Sequence, residues 1–379
     1  MRPSAFSIIA LTLVGRALSA QTPAPPPGSV SGHVYCADTH TPCRFASVTL
    51  EAVPQPKPGN SASPNAEPRN YATETDLDGA FQVNGVLPGD YYILARLTGY
   101  FLPYDLAVSE FPDDPVLRAK AIDAALPKIT VSAGLATTSV LNLSSGASLS
   151  GTVRYDDGGV ASTLRLSLFR KDESGKWKSY VNRSADSNMA PLGMGTHTDS
   201  RGRFSVLGLP AGIFCIEIML PEASSVSNTI TGNPSITYRI AEGNALRIYN
   251  GDKYRLRDAT PIELHEGEDR SGIDINIPTQ GLHSIHGNVV ARSDGRSITA
   301  GTVRLLDPDD KTLLRKTAIG SDGAFSFNYL FQGTYLLQIE GAADNRKDKP
   351  GTGYESISAP LLIEKDIPDL SYSLAPAKH

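Results

Sequence analysis

Beyond its first residues the chain has no apolar run approaching about 18 residues, so nothing in the rest of the sequence is long enough to cross a bilayer as a helix. A basic excess is also missing. Lys and Arg total 35 against 40 Asp and Glu, a net charge of -5, and without a positive surplus a phosphate backbone finds no complementary surface, which excludes nucleic acid as a partner. No Gly-x-Ser-x-Gly elbow appears, so the usual mounting of a nucleophilic serine is absent. Cysteine occurs three times and tryptophan once in 379 residues.

What is present starts at the N-terminus. Arg2, the apolar run Ala5 to Val14 and the small residues Ala17 to Ala20 have the layout of a secretory signal peptide over residues 1–20. No Cys follows the run, so lipid anchoring there is not indicated. Residues 21–28, with a run of three prolines, form a semi-rigid linker. An exported chain meets an oxidising compartment, where Cys36 and Cys43, which bracket a short loop between two apparent strands, are expected to close a disulfide. Cys215, inside the apolar segment Ile213 to Ile218, reads as a buried small hydrophobe.

The dominant feature is an internal repeat, which has to be found before any site is proposed. Gly32, Gly151 and Gly287 each sit in an opening strand. Asp76, Asp199 and Asp322 lie in turns closed by Gly79, Gly202 and Gly323 and followed two residues later by Phe81, Phe204 and Phe325. Gly89, Gly212 and Gly333 then precede Tyr91, Phe214 and Tyr335. The step from the turn glycine to the second glycine is ten residues in all three copies. Asp bonds its own backbone and Gly takes positive φ, as a hairpin turn demands. Alternation in segments such as Phe81-Gln82-Val83 is a strand pattern, with the aromatic after the second Gly placed between the sheets. The chain therefore reads as all-β, with modules over 29–143, 147–277 and 282–374. Pro54 to Asn70 and Ser184 to Gly195 are polar insertions expected to form mobile loops. Pro115 to Leu126 has helical spacing through Leu117, Ala121, Ala124 and Ala125.

The opening Gly-x-Val, the Thr-Asp-x-x-Gly-x-Phe turn of the first copy and the Gly-x-Tyr strand together resemble the carboxypeptidase regulatory-like domain, a transthyretin-like sandwich grouped with carbohydrate-binding-like folds. The resemblance implies three tandem Ig-like or transthyretin-like β-sandwiches, as beads on a string. It further implies an accessory, spacer or recognition role on an exported protein in the periplasm, on the outer surface or outside the cell. Related adhesin modules form Lys–Asn crosslinks, which need a Lys in the first strand. Here those strands read His33-Val34, Thr152-Val153-Arg154 and Asn288-Val289, so self-crosslinking is not expected.

Several motifs invite chemistry. His265-Glu266-Gly267-Glu268 has the His-x-x-Glu spacing of a zinc peptidase, with His379 downstream, but it falls at a strand-to-turn junction within a repeat. A catalytic site needs ligands fixed on rigid elements around an open position. Asp76 to Gly79 lacks the third acidic ligand and bidentate Glu of a calcium loop. His283 and His286 point to opposite faces of a strand. Trp177, with Tyr180 nearby, is the candidate platform for stacking on a sugar ring, although the two alternate across a strand. No enzyme activity, cofactor or metal is expected. The reading is a non-catalytic scaffold with an envelope protein or a glycan as partner. A carbohydrate-binding protein is the alternative, and an accessory part of a metallocarboxypeptidase system stands behind it.

Overall fold

The computed structural model describes residues 25–54, 70–181, 197–220, 244–346 and 349–377. The signal-peptide reading, half of the linker, most of the first polar insertion, the whole of the second and His379 lie outside the described residues. The first module comprises β1 (Gly28–Cys36), β2 (Thr41–Pro42), β3 (Ser47–Ala52), β4 (Asn70–Glu74), β5 (Ala80–Val86), β6 (Gly89–Arg96), α1 (Pro103–Glu110), α2 (Pro115–Ala125), β7 (Lys128–Val131) and β8 (Ala136–Leu143). The second comprises β9 (Ala147–Tyr155), β10 (Arg165–Lys171), β11 (Trp177–Tyr180), β12 (Arg203–Leu209), β13 (Gly212–Leu220), β14 (Leu246–Tyr249), β15 (Ile262–Leu264), β16 (Asp269–Arg270) and β17 (Ile275–Ile277). The third comprises β18 (Leu282–Ala291), β19 (Ala300–Leu306), β20 (Leu313–Ala318), β21 (Ala324–Phe331), β22 (Gly333–Arg346), β23 (Lys349–Gly353), β24 (Ile357–Ile363) and β25 (Ile367–Leu374).

The fold is all-β, and one topology recurs. In each copy the opening strand is flanked by the strand after the turn glycine, running antiparallel, and by the closing strand, running parallel: β5–β1–β8, β12–β9–β17 and β21–β18–β25. The second sheet is antiparallel, in the orders β4–β3–β6–β7, β11–β10–β13–β15 and β20–β19–β22–β24. Alternate residues of the two sheets meet in a core, led by Val30, Leu50 and Tyr91 in the first copy, Leu149, Ile216 and Phe214 in the second, and Ile285, Leu337 and Phe327 in the third.

The register explains the opening-strand glycines. Gly32 pairs with Phe81, Gly151 with Phe204 and Gly287 with Phe325. On the other side the closing chain approaches so closely that a Cβ would lie 1.7 Å from the Ser139 carbonyl oxygen at position 32 and 1.8 Å from that of Ile273 at 151. At 287 a Cβ would lie 2.5 Å from both the Leu370 oxygen and the Phe325 ring. No side chain fits there.

The turns are built locally. Asp76 Oδ1 accepts from the N–H groups of Asp78 and Ala80, and Asp199 Oδ1 from those of Arg201 and Arg203. Gly79, Gly202 and Gly323 take φ of 72°, 74° and 86°, and their carbonyls accept from Val34, Val153 and Val289 of the opening strands. Buried Thr75 donates to the Cys43 carbonyl and accepts from Ala46 N–H. Thr198 does the same with Ala161 and Leu164, whereas the third copy has Ile319 in this place. Six residues past the turn glycine, Gly85 and Gly208 adopt φ of 73°. Tyr329 occupies that place in the third copy at φ 56°, where an L side chain costs about 1–2 kcal/mol. Cys36 and Cys43 form a disulfide with Cα atoms 5.4 Å apart.

Outer faces differ between copies. In β6 every residue from Tyr91 to Ala95 is buried because α1 and α2 cover the far side through Leu102, Tyr104, Ile122 and Leu126. The helical spacing at 115–126 is α2, started by Asp114, whose carboxylate caps Val116 and Leu117, with Pro115 at the first helical position. Helix α1 has no counterpart in the sequence reading, since its eight residues are too few for a period to show.

Two outcomes are expected. Gly151→Ala should destabilise the second module by at least about 3 kcal/mol in urea titration, the upper range of overpacking, because the opposing atom is backbone. The Asp199 carboxyl is held at about 2 by Arg203 and the turn N–H groups. Its contribution is therefore complete above roughly pH 4 and disappears as pH falls through about 2. Asp199→Asn should flatten the melting midpoint of this module across that window.

Candidate functional site

Both junctions between modules are packed. At the first, Leu106 of α1 rests on the core of the second module. Val181 N–H donates to Ser109 Oγ (2.9 Å) and Lys178 Nζ to the Glu110 carbonyl (3.2 Å). The second junction carries more chemistry. After β14 the chain folds back at Gly251 and Asp252, in left-handed conformations, and Tyr249 and Lys253 exchange both backbone hydrogen bonds. Asn250 anchors the loop to the sheet, accepting from Ile216 N–H and donating to the Thr260 carbonyl. A free thiol and a carboxylate are buried beneath it. Burial pushes the Cys215 thiol up, which makes it a poor nucleophile. Burial raises the Glu217 carboxyl too, opposed by Arg247 at 3.3 Å and a 2.9 Å hydrogen bond from the Tyr249 hydroxyl.

The anchored loop projects Tyr254, Arg255 and Arg257 onto the third module. Asp307, 1% exposed in the β19–β20 turn, lies 2.9 Å from Arg255 and 3.0 Å from Arg257, and Arg257 also reaches Asp309 at 2.7 Å. Arg255 donates in addition to the Thr334 carbonyl at 2.8 Å. Tyr254 stacks on Phe331 with centroids 3.4 Å apart, while Phe331 and Leu282 pack against the second module's core. Two hollows open beside this contact, of about 240 and about 380 Å³, sharing Arg255, Leu256, Thr312 and Leu314 as a wall. Tyr254 and Tyr329 line the first, and Trp177 lines the second.

The residues singled out in the sequence fall as follows. Trp177 and Tyr180 do not make one platform. Tyr180 is buried in the module core, edge-on to Phe214 with centroids 5.5 Å apart, because alternation along β11 turns it inward. Trp177 faces outward, packs against the Cys215–Tyr249–Ala259 cluster and has the Lys171 ammonium 4.9 Å from its ring centroid. The His265–Glu268 pair is a turn clasp: one carboxylate oxygen takes both the His265 N–H and Nδ1 at 2.9 Å, and it raises the histidine pKa. His283 lies 3.8 Å from Asp366. Among the described residues no three His, Cys, Asp or Glu side chains are grouped so as to hold a metal ion. Asp76 spends its oxygen on the turn. Sequence reasoning missed the Arg255–Arg257–Asp307 clamp, which no spacing announces. It also missed Tyr329, which the break in the glycine pattern of 85 and 208 could have revealed.

No family model matches this chain, and no curated protein does. Among solved structures, the Streptococcal ancillary pilin aligns over 93% of this chain and 100% of that one at 11% identity, with a TM-score of 0.28. The full-length major pilin SpaD from Corynebacterium diphtheriae aligns over 93% and 98% at 7% identity and a TM-score of 0.22. The Bacillus anthracis TIE protein aligns over 93% of this chain at 15% identity and a TM-score of 0.21, and the aligned part spans about half of that protein, 51%. Superpositions this loose carry no functional argument.

Removing the carboxylate that both arginines share should be costly in proportion to its burial. Asp307→Ala is expected to lower stability by about 1–3 kcal/mol in urea titration, less than for a fully buried pair, because both guanidinium groups keep partial access to water. Asp309→Ala, at the exposed end of the clamp, should change it by no more than about 1 kcal/mol.

Proposed function

We propose that this chain is an exported, non-catalytic array of carboxypeptidase regulatory-like modules that serves as a spacer or protein-recognition scaffold at the cell envelope. The observation that supports the reading is the clamp at the second junction. A carboxylate only 1% exposed and within 3.0 Å of two guanidinium groups of the preceding module loses both ion pairs in any relative placement of the modules that separates them. Most junctions between domains of one chain resemble transient interfaces and permit relative motion. A spacer needs the opposite, a fixed distance between what it holds. The export part of the reading rests on the N-terminal layout, and the family on the repeated Gly, Asp-turn and aromatic positions.

Small-angle scattering on the mature chain provides the test. The parent should give one compact set of inter-module distances, and Asp307→Ala a broader one with a larger radius of gyration. Equal flexibility in parent and variant would remove the spacer reading, and chelator-sensitive peptide hydrolysis by the purified chain would remove the non-catalytic one.

A further inference from the structure

We propose that Asn84 and Gly85 form a site of spontaneous covalent modification, at which the Gly85 nitrogen attacks the Asn84 side-chain amide and water converts the product to aspartate and isoaspartate. The sequence holds this dipeptide twice, at Asn84-Gly85 and at Asn250-Gly251. Glycine favours the reaction because no Cβ crowds the attacking nitrogen. The fold treats the two pairs oppositely.

Asn84 and Gly85 are both exposed, near the end of β5. The register with β1 sets Val83 opposite Val30 and Asn84 opposite Ser29, then skips to Val86 opposite Gly28, so Gly85 is the extra residue of a bulge, at φ 73°. Beyond its chain neighbours, no described atom lies within 4 Å of the place a Cβ on Gly85 would take. The Asn84 amide oxygen accepts from Gln82 Nε2 at 3.0 Å, which puts a donor on the atom that gains negative charge as the nitrogen adds. Asn250 is held instead. It is buried, and its amide accepts from Ile216 N–H and donates to the Thr260 carbonyl. Turning that amide onto the Gly251 nitrogen breaks both bonds, so reaction there waits for the loop to open. The equivalent bulge reads Leu207-Gly208 in the second copy, without a side-chain amide, and Asn328-Tyr329 in the third, without the glycine. The first copy alone combines the two.

The reaction balances with water as its one co-reactant. The Gly85 nitrogen bonds to Cγ of Asn84, the Cγ–Nδ2 bond breaks, and the displaced amide nitrogen leaves as ammonia with the Gly85 proton. Water then opens the cyclic imide. Opening at Cγ leaves an ordinary chain with aspartate, and opening at the main-chain carbonyl routes the chain through the side chain as isoaspartate. Either product puts a carboxylate on β5, which among the described residues pairs with β1 alone. A charge on an open sheet edge opposes pairing with a further strand.

The test incubates the purified chain in oxygen-labelled water at mildly alkaline pH, both folded and in guanidinium chloride, and follows the label at each asparagine by peptide mass spectrometry. Unfolded, Asn84 and Asn250 should convert at comparable rates. Folded, Asn84 should stay within about threefold of its unfolded rate, whereas Asn250 should slow at least about tenfold, since it reacts only through rare opening of its loop. Asn84→Gln should abolish labelling of that peptide and leave the Asn250 rate unchanged. The proposal fails if folding slows Asn84 as much as Asn250, or if the label persists in Asn84→Gln. It fails equally if Asn328 takes up label as fast as Asn84, which would deny the glycine its part.

Discussion

The constraint on which each module depends is the approach of its closing backbone to the glycine of its opening strand. The first sheet is incomplete until the chain returns, after roughly a hundred residues, to lay a parallel strand beside the first. At that crossing a carbonyl oxygen occupies the space a Cβ would need. The same glycine faces the phenylalanine that follows the Asp-Gly turn, so one position fixes the hairpin partner on one side and the closing strand on the other. Because loop-closure entropy rises only with the logarithm of length, material can be inserted between opening and closing strands at modest cost. The first copy carries two helices there.

Those insertions build the array. In the first copy the segment after β6 forms α1, which covers its own sheet and places Leu106 on the second module. In the second copy the segment after β13 provides β14 and the loop anchored by Asn250, which covers Cys215 and sends Arg255 and Arg257 to the third module. In the third copy the corresponding segment is the hairpin of β22 and β23. Helix and irregular loop have no sequence in common, yet both leave the second sheet at the same step of the topology and both cover its outer face. The position is inherited with the repeat, and the chemistry differs with each neighbour.

That difference accounts for what the sequence did and did not disclose. Turn glycines, capping aspartates and alternating strands are local, and their spacing is enough to read three all-β copies from the chain alone. Helix α2 was legible from the spacing of Leu117, Ala121, Ala124 and Ala125, although the residues that meet the sheet are Ile122 and Leu126. Helix α1 was not, and β6 reads as a continuous apolar run because helices bury its second face. At the site, alternation already set Trp177 and Tyr180 on opposite faces, but only the packing shows which one is inside. The clamp joins residues some fifty positions apart with no periodicity, so no pattern points to it. Tyr329 breaks a glycine pattern that Gly85 and Gly208 set, a signal the sequence carries and the reading of the repeat passed over.

An ion-pair clamp at such a junction is not the choice that maximises stability, since desolvating a carboxylate offsets much of the attraction it gains. Its value lies in discrimination. Three modules with similar cores and similar outer sheets could dock in the wrong order during folding, and apolar contacts alone would distinguish the arrangements weakly. The first module's α1 carries Asp105 and Glu110 and no arginine, so seating it on the third module would offer Asp307 no guanidinium. That penalty falls on the wrong partner alone, which is how a repulsive element separates related interfaces. The exposed Asp309, reached by Arg257, adds little to the energy of the correct joint, whereas the buried Asp307 makes the incorrect one costly.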